Sequence, residues 1–460
     1  MKKVIADVNQ TTIPYRHPER CQACSMCAAP PNADLPLKVA ESYGRLRLVR
    51  YHVCLDEVYD FRTDTFRFDY PIGHFLFEDE PRKWRAYWGR TFATQTSMKE
   101  LMKNFADKTD DILLGIWRYE RDVLDGLVTW EQYERAIETT IEHYKDFCPN
   151  IRYIEFSNEC YYWQISSEQY YKLYSCVVRS VNRLNQKHHY EKPLLVGGNA
   201  IDSIINRPHL WWEFLKIYAE DTNPEKRLDF YTFHDYHVDH GPRLHQMIAI
   251  HRAFLKKLNL PEKPMFFDEF GHVCPARGDL TSNLKNAAGV LVTMIASLPY
   301  ENLELFPWCT FHNPDSQMCY THFLEKDGKY IETPMAHAMQ LLSKIDGAVV
   351  PYTAEKETNP VSENVLIVKG EDAYYVLAVN LRDRDMFFDI TLTGLKETFL
   401  HIVAYMVDEE LNNCLTGNPE DTTLYKTRNY THPIDGSYQL EKILHPHAFC
   451  LWIIKEAEEQ

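Results

Sequence analysis

Short apolar runs alternate with helical stretches from the N-terminus to about residue 347, and few folds accommodate that rhythm. The runs are Val4–Asn9, Leu46–His52, Ile112–Trp117, Tyr153–Asn158, Leu194–Gly198, Phe230–His234, Met265–Glu269 and Leu303–Trp308. Each is apolar or β-branched and bounded by charged or turn residues, as buried strands are. Helical signals fill the gaps. Thr129 with Gln132, and Ser166 with Gln169, are capping-box pairs. Trp130, Tyr133, Ile137, Ile141 and Tyr144 recur at helical spacing after the first pair, and Tyr170, Tyr174, Val177, Val181 and Leu184 after the second. Further helices are predicted over Trp211–Tyr218, Arg243–Leu258, Leu284–Ser297 and Met335–Ile345. Strands interleaved with helices in this way predict a (β/α)₈ TIM barrel over residues 1–347. An open doubly wound sheet would want a Gly-rich phosphate turn after its first strand, and the sequence has none there.

The rhythm changes after Gly347. Val365–Val368, Tyr374–Asn380, Phe387–Leu392, His401–Val407 and Ala448–Ile454 read as strands with no helices between them. A C-terminal β-sandwich over 348–460 is the expectation.

Two carboxylates stand out against this framework. Asn158-Glu159 directly follows the apolar run Tyr153–Asn158, and Glu269 closes Pro264-Met265-Phe266-Phe267-Asp268-Glu269. The last residues of a barrel strand face the mouth, where barrel enzymes do their chemistry. Two such carboxylates are the layout of a retaining glycosidase: one protonates the leaving oxygen and the other attacks the sugar carbon. Strand alternation points Asp268 and Glu269 in opposite directions, with Glu269 taken as the one facing the mouth. That chemistry needs no cofactor and no metal.

Composition narrows the partners. A net charge of −16 argues against a nucleic-acid or anionic-membrane surface, since both require a basic footprint. No apolar run is long enough to span a bilayer. The N-terminus lacks the apolar core and cleavage site of a signal peptide, and the 12 Cys form no secreted framework. The expectation is a cytoplasmic chain, the alternative an exported one whose signal has been removed. Homo-oligomerisation stays open.

The residues resemble clan A of the glycoside hydrolases, retaining enzymes on (β/α)₈ barrels with an Asn-Glu acid/base on strand four and a Glu nucleophile on strand seven. Within the clan the chain looks most like family 39, which includes β-xylosidases and α-L-iduronidases. Arg50-Tyr51-His52, followed by Asp56 and Glu57, matches the family's Arg-x-His on strand two. His234-Asp235-Tyr236 matches its His-x-Tyr on strand six, and Trp308 the Trp common on strand eight. Cys160 stands where the family usually has Pro. The resemblance implies an exo-acting retaining glycosidase with an oligosaccharide or glycoside substrate, xyloside-like or a related pentoside or hexoside. Other clan A linkages, or a non-catalytic sugar-binding barrel, are the alternatives.

The supporting residues have physical roles of their own. Arg50 would keep the nucleophile ionised. Tyr236 would hydrogen-bond and orient it. Asn158, His52 and His234 would hold sugar hydroxyls, and Trp308 would floor the sugar subsite. Tyr161, Tyr162 and Trp163 would line the leaving-group side. Cys21, Cys24 and Cys27 are spaced so that three thiolates could ligate zinc or an iron–sulfur cluster. The run from His234 to His240 also has a metal-like alternation, which a strand end followed by a loop explains equally well.

Overall fold

The computed structural model describes residues 1–24, 33–72, 96–236, 241–272, 280–311, 319–354, 364–396 and 399–457. Its centre is an eight-stranded parallel sheet. The strands are Cys21–Cys24, Leu46–Cys54, Thr109–Trp117, Ile151–Phe156, Leu195–Asp202, Phe230–Asp235, Met265–Phe270 and Leu303–Pro307, hydrogen-bonded in that order. The sheet curls until its edges meet: the Thr310 N–H donates to Ala23 O at 3.2 Å, and the Cys21 thiol donates to Glu304 Oε2 at 3.3 Å. A helix follows each strand, and both predicted capping boxes are formed, at Thr129–Gln132 and Ser166–Gln169. Among the described residues, no helix is long and apolar enough to cross a membrane.

The expected first strand is elsewhere. Lys2–Asp7 pairs parallel with Met386–Thr393 and antiparallel with Tyr352–Ala354, in a sheet of the C-terminal half. Burial explains the difference. Val4 and Ala6 are buried while Ile5, between them, is 46% exposed, so this strand covers one face only. A parallel barrel strand is buried on both faces, and Cys21–Cys24 is buried throughout. The barrel count is unchanged by the exchange, so Phe156 still ends the fourth strand and Phe270 the seventh.

The C-terminal half is a sandwich of two sheets. The first holds Lys2–Asp7, Tyr352–Ala354, Met386–Thr393 and Ser437–Leu444. The second has six strands, with Phe449–Ala457 between Tyr374–Val379 and Phe399–Val407. Val4, Ala6, Phe388 and Ile390 of the first pack with Ile367, Val376, Trp452 and Ile454 of the second. The second sheet is covered on its other face too: Leu366, Val368, Leu377 and Leu451 join the core built by the barrel helices.

Two apolar layers hold the barrel, and alternation sorts residues between them. Val49, Tyr51 and Val53 pack outward under the helices, whereas Leu48 belongs to a separate inner cluster with Leu113, Phe230, Phe266 and Phe306. Inside, Tyr153, Phe230 and Phe266 contact one another edge-on or tilted, with centroids 5.1–5.4 Å apart. This plug floors the site. Arg50, Glu155 and Asp268 lie two residues beyond Leu48, Tyr153 and Phe266, one layer nearer the mouth.

Placement of the N-terminal strand is testable by facing substitutions. Val4→Asp would bury a carboxylate and should cost about 3 kcal/mol or more of unfolding free energy, against about 0.5 for Ile5→Asp. Urea denaturation of the two variants checks this; equal losses would refute the one-sided burial.

Candidate active site

Arg50 is the hub. It is 1% exposed, on the second strand, and its guanidinium reaches across the barrel to the fourth and seventh strands. Nε donates to Glu155 Oε2 at 2.8 Å and lies 2.9 Å from Asp268 Oδ2. Nη1 reaches Glu269 Oε2 at 3.1 Å and the Asp268 carbonyl at 3.3 Å. Nη2 donates to Asn158 Oδ1 at 3.0 Å. Burial alone would lower the Arg50 pKa, but Asp268, Glu155 and Glu269 outweigh it and raise it.

Glu269 therefore sits as expected, with Arg50 on one oxygen and the Tyr236 hydroxyl donating to the other. Burial pushes its carboxyl up; His234 and Arg50 pull it down, while the charge of Glu159 adds to the rise. Tyr236 is held well above the usual phenol value, by burial and then by Glu269, so it remains a donor.

Strand alternation does not separate Asp268 from Glu269. Asp268 shares the inward parity of Phe266, and the register shifts between Phe267 and Glu269. That irregularity brings the next residue inward as well. Asp268 is fully buried, and its Oδ1 accepts the Phe233 N–H at 3.0 Å. Glu155, also fully buried, is the other carboxyl that the sequence reading passed over. Parity within each strand was the signal for both.

Glu159 lies just past the fourth strand, in a turn rather than on the strand itself. Its φ is 50°, a left-handed conformation that costs a non-glycine residue roughly 1 kcal/mol or more. Its N–H donates to Ala200 O at 3.3 Å, and its side chain is 21% exposed. His234 Nδ1 lies 2.9 Å from Glu159 Oε1 and 3.7 Å from Glu269 Oε2, between the two carboxylates. Burial opposes charge on His234, but Glu269 and Asp268 prevail and hold it well above the usual imidazole value. As an imidazolium it donates to Glu159, and its Nε2 faces Asp268 Oδ2 at 3.5 Å. His234 thus ties the carboxylates together rather than standing free for a sugar.

One oxygen of each Glu and Nδ1 of His234 lie within 4.8 Å of one another. Such a triad has the composition of a metal site. Here, however, Arg50 and the imidazolium already supply the positive charge.

His52 is 3% exposed, and its Nε2 has no hydrogen-bond partner among the described residues. Burial, then Arg50 and His234, depress its pKa well below the usual value, so it is a neutral imidazole. Gly115 makes its room: a Cβ there would meet His52 Cδ2 at 2.3 Å. Trp308 is 7% exposed, at the end of the eighth strand, where its N–H donates to Phe270 O at 2.9 Å. It contacts Tyr320 edge-on, and Tyr320 in turn contacts Tyr236 with the rings tilted. Beyond Glu159, Arg207 stacks over Tyr161 at 4.5 Å and Tyr162 at 5.8 Å, and Tyr162 is 56% exposed.

The cysteine reading changes. Cys21 and Cys24 belong to the first barrel strand rather than to a loop. Cys21 joins the inner cluster and Cys24 the outer one, so their side chains do not converge. Burial raises both thiols, Cys24 to about 12. Cys27 lies outside the described residues, as do His237, Asp239 and His240.

Removing the hub should be costly. Arg50→Met leaves Glu155, Asp268 and Glu269 without their shared cation, and a loss of about 3–5 kcal/mol is expected in chemical denaturation. A loss under about 1 kcal/mol would contradict the hub.

Neither a family model nor a curated protein sequence matches the chain. Solved structures do. A monomeric β-xylosidase from Caulobacter crescentus CB15 is similar at a TM-score of 0.67 and 13% identity, covering 99% of this chain and 100% of that one. A GH39 enzyme from Xanthomonas axonopodis pv. citri has the same TM-score and identity, covering 99% and 97%. A bacterial orthologue of human α-L-iduronidase follows at 0.63 and 12%, covering 99% and 84%. Over its whole length, the chain shares the barrel-and-sandwich fold of the family 39 glycoside hydrolases.

Proposed function

We propose that the protein is a retaining exo-glycosidase that releases a terminal xyloside-like sugar, or a related pentoside or hexoside, with Glu269 as nucleophile and Glu159 as acid/base. The observation that carries this reading is the spacing of the two carboxylates. Their oxygens approach within 4.8 Å. Retaining enzymes hold the two groups about 5–5.5 Å apart, whereas inverting enzymes need roughly 6.5–9.5 Å to admit a water.

The surroundings support the roles. Arg50 and Tyr236 hold the two oxygens of Glu269, fixing the carboxylate that attacks the anomeric carbon. Glu159, partly exposed at the mouth, gives its proton to the glycosidic oxygen as that bond breaks. Ester formation then removes the charge on Glu269. Glu159, now a carboxylate, takes a proton from the incoming water as the water oxygen bonds to the anomeric carbon. Bond cleavage regenerates the Glu269 carboxylate and frees the sugar with its configuration retained. His52 Nε2, buried without a partner among the described residues, offers an acceptor to a sugar hydroxyl, and Asn158 is held by Arg50 at the same level. Trp308 and Tyr320 supply aromatic surface, Tyr320 in contact with Tyr236.

A screen of aryl glycosides, with the first-formed anomer followed by NMR, tests both class and stereochemistry. Retention is expected; an inverted product would refute the mechanism. Glu269→Ala should abolish turnover in a folded protein. Glu159→Ala should lose about 10²–10⁴-fold on substrates with poor leaving groups and much less on activated aryl glycosides, with azide restoring turnover of the latter.

A further inference from the structure

Beneath the two proposed catalytic residues lies a carboxyl pair that the mechanism does not use. Glu155 and Asp268 are both fully buried, and both crowd the same Arg50 nitrogen, at 2.8 and 2.9 Å. Nε carries one hydrogen, and it is aligned on Glu155 Oε2. Among the described residues, none donates a hydrogen bond to Asp268 Oδ2 or Glu155 Oε1. Two ionised carboxylates here would leave buried acceptor oxygens facing one another with too few donors. One added proton turns an acceptor into a donor and removes the conflict.

We propose that Glu155 carries that proton and shares it with Asp268, and that the resulting carboxyl–carboxylate pair is a positioning device that fixes Arg50 against Glu269 and Asn158. The positioning role rests on the glycosidase reading; the shared proton does not. The proton belongs on Glu155 because Asp268 is the better-solvated anion. Asp268 accepts the Phe233 N–H at 3.0 Å and has the charged His234 at 3.5 Å. Burial pushes the Glu155 carboxyl up to about 8, with Arg50 opposing and Asp268 adding to the rise. Against burial, Arg50 and His234 hold Asp268 down to about 2.

The groups around Glu155 come from every neighbouring element. The second strand contributes Arg50 and His52, the sixth His234, the seventh Asp268 with Glu269 beyond it, and the following helix Tyr170. The third and fifth strands present Gly115 and Gly197, which carry no charge. Of these groups, Glu155 and Asp268 are the two carboxyls that crowd the one nitrogen Arg50 Nε.

The linkage has a definite sign. Between pH 4.5, its ordinary pKa, and about 8, folded Glu155 keeps a proton that the unfolded chain has lost. Its contribution to stability is fully present below that window and falls as pH rises through it. Glu155→Gln keeps a neutral donor and has no such dependence. The Tm of the natural chain should therefore fall relative to Glu155→Gln across this window.

Infrared difference spectra of the full chain, stepped from about pH 6 to about pH 10, read the proton directly. The natural chain should lose a protonated-carboxyl carbonyl band that Glu155→Gln lacks. On the best aryl glycoside, Glu155→Ala should lose about 100-fold or more in kcat with KM little changed, and Glu155→Gln less than about 10-fold. An unchanged band in Glu155→Gln, or equal impairment of the two variants, would overturn the proposal. Should the natural chain turn over no glycoside, the glycosidase reading fails, while the infrared and Tm measurements still decide the shared proton.

Discussion

The contact between Arg50 and its ring of acceptors sets what the barrel interior must be. A guanidinium cannot be left alone at 1% exposure, because burial without partners is among the costliest things a side chain can suffer. Glu155 on the fourth strand, Asn158 just beyond it, and Asp268 with Glu269 on the seventh answer that demand. Since they come from two separate strands of the curled sheet, the same contacts fix how the fourth and seventh strands face one another across the barrel. The two carboxylates at the mouth inherit their separation from this arrangement. The aromatic plug below keeps water out from beneath, so the electrostatics act in a medium far less polar than solvent.

Much of this was legible in the sequence, and the failures have specific causes. Seven of the eight barrel strands are short runs rich in apolar or β-branched residues, and that pattern makes them legible. Lys2–Asp7 was taken for one of them because Val, Ile and Ala crowd it, although its exposed Ile5 faces solvent. Cys21–Cys24 went unrecognised as a strand because it is only four residues long and contains Gln22. Ser437–Leu444 was missed although Tyr438, Leu440 and Leu444 are buried in near alternation among polar residues. Arg428–Pro433 is exposed at every position, so its pairing with Phe399–Val407 leaves no apolar trace.

At the site, positions tied to strand ends were legible and positions tied to irregular backbone were not. Arg50, Tyr236 and Glu269 meet as their places near strand ends and the family resemblance imply. The convergence of Asp268 with Glu269 depends on a register shift that no two-residue period announces. The role of His234 as a charged link between two carboxylates depends on three elements at once. Its residue type alone could not distinguish that from a sugar contact.

The strand Lys2–Asp7 carries a consequence for how the chain is made. It is synthesised ahead of the barrel, yet its parallel partner Met386–Thr393 is made only after the barrel. Until then it has one exposed apolar face and unsatisfied backbone edges, the features that invite pairing with other chains. Closing so long a loop adds only slowly to the entropic cost, but it delays the contact until nearly everything else is in place. A chain arrested after the barrel, before Met386–Thr393 is made, would thus carry an unsheltered strand ahead of the barrel.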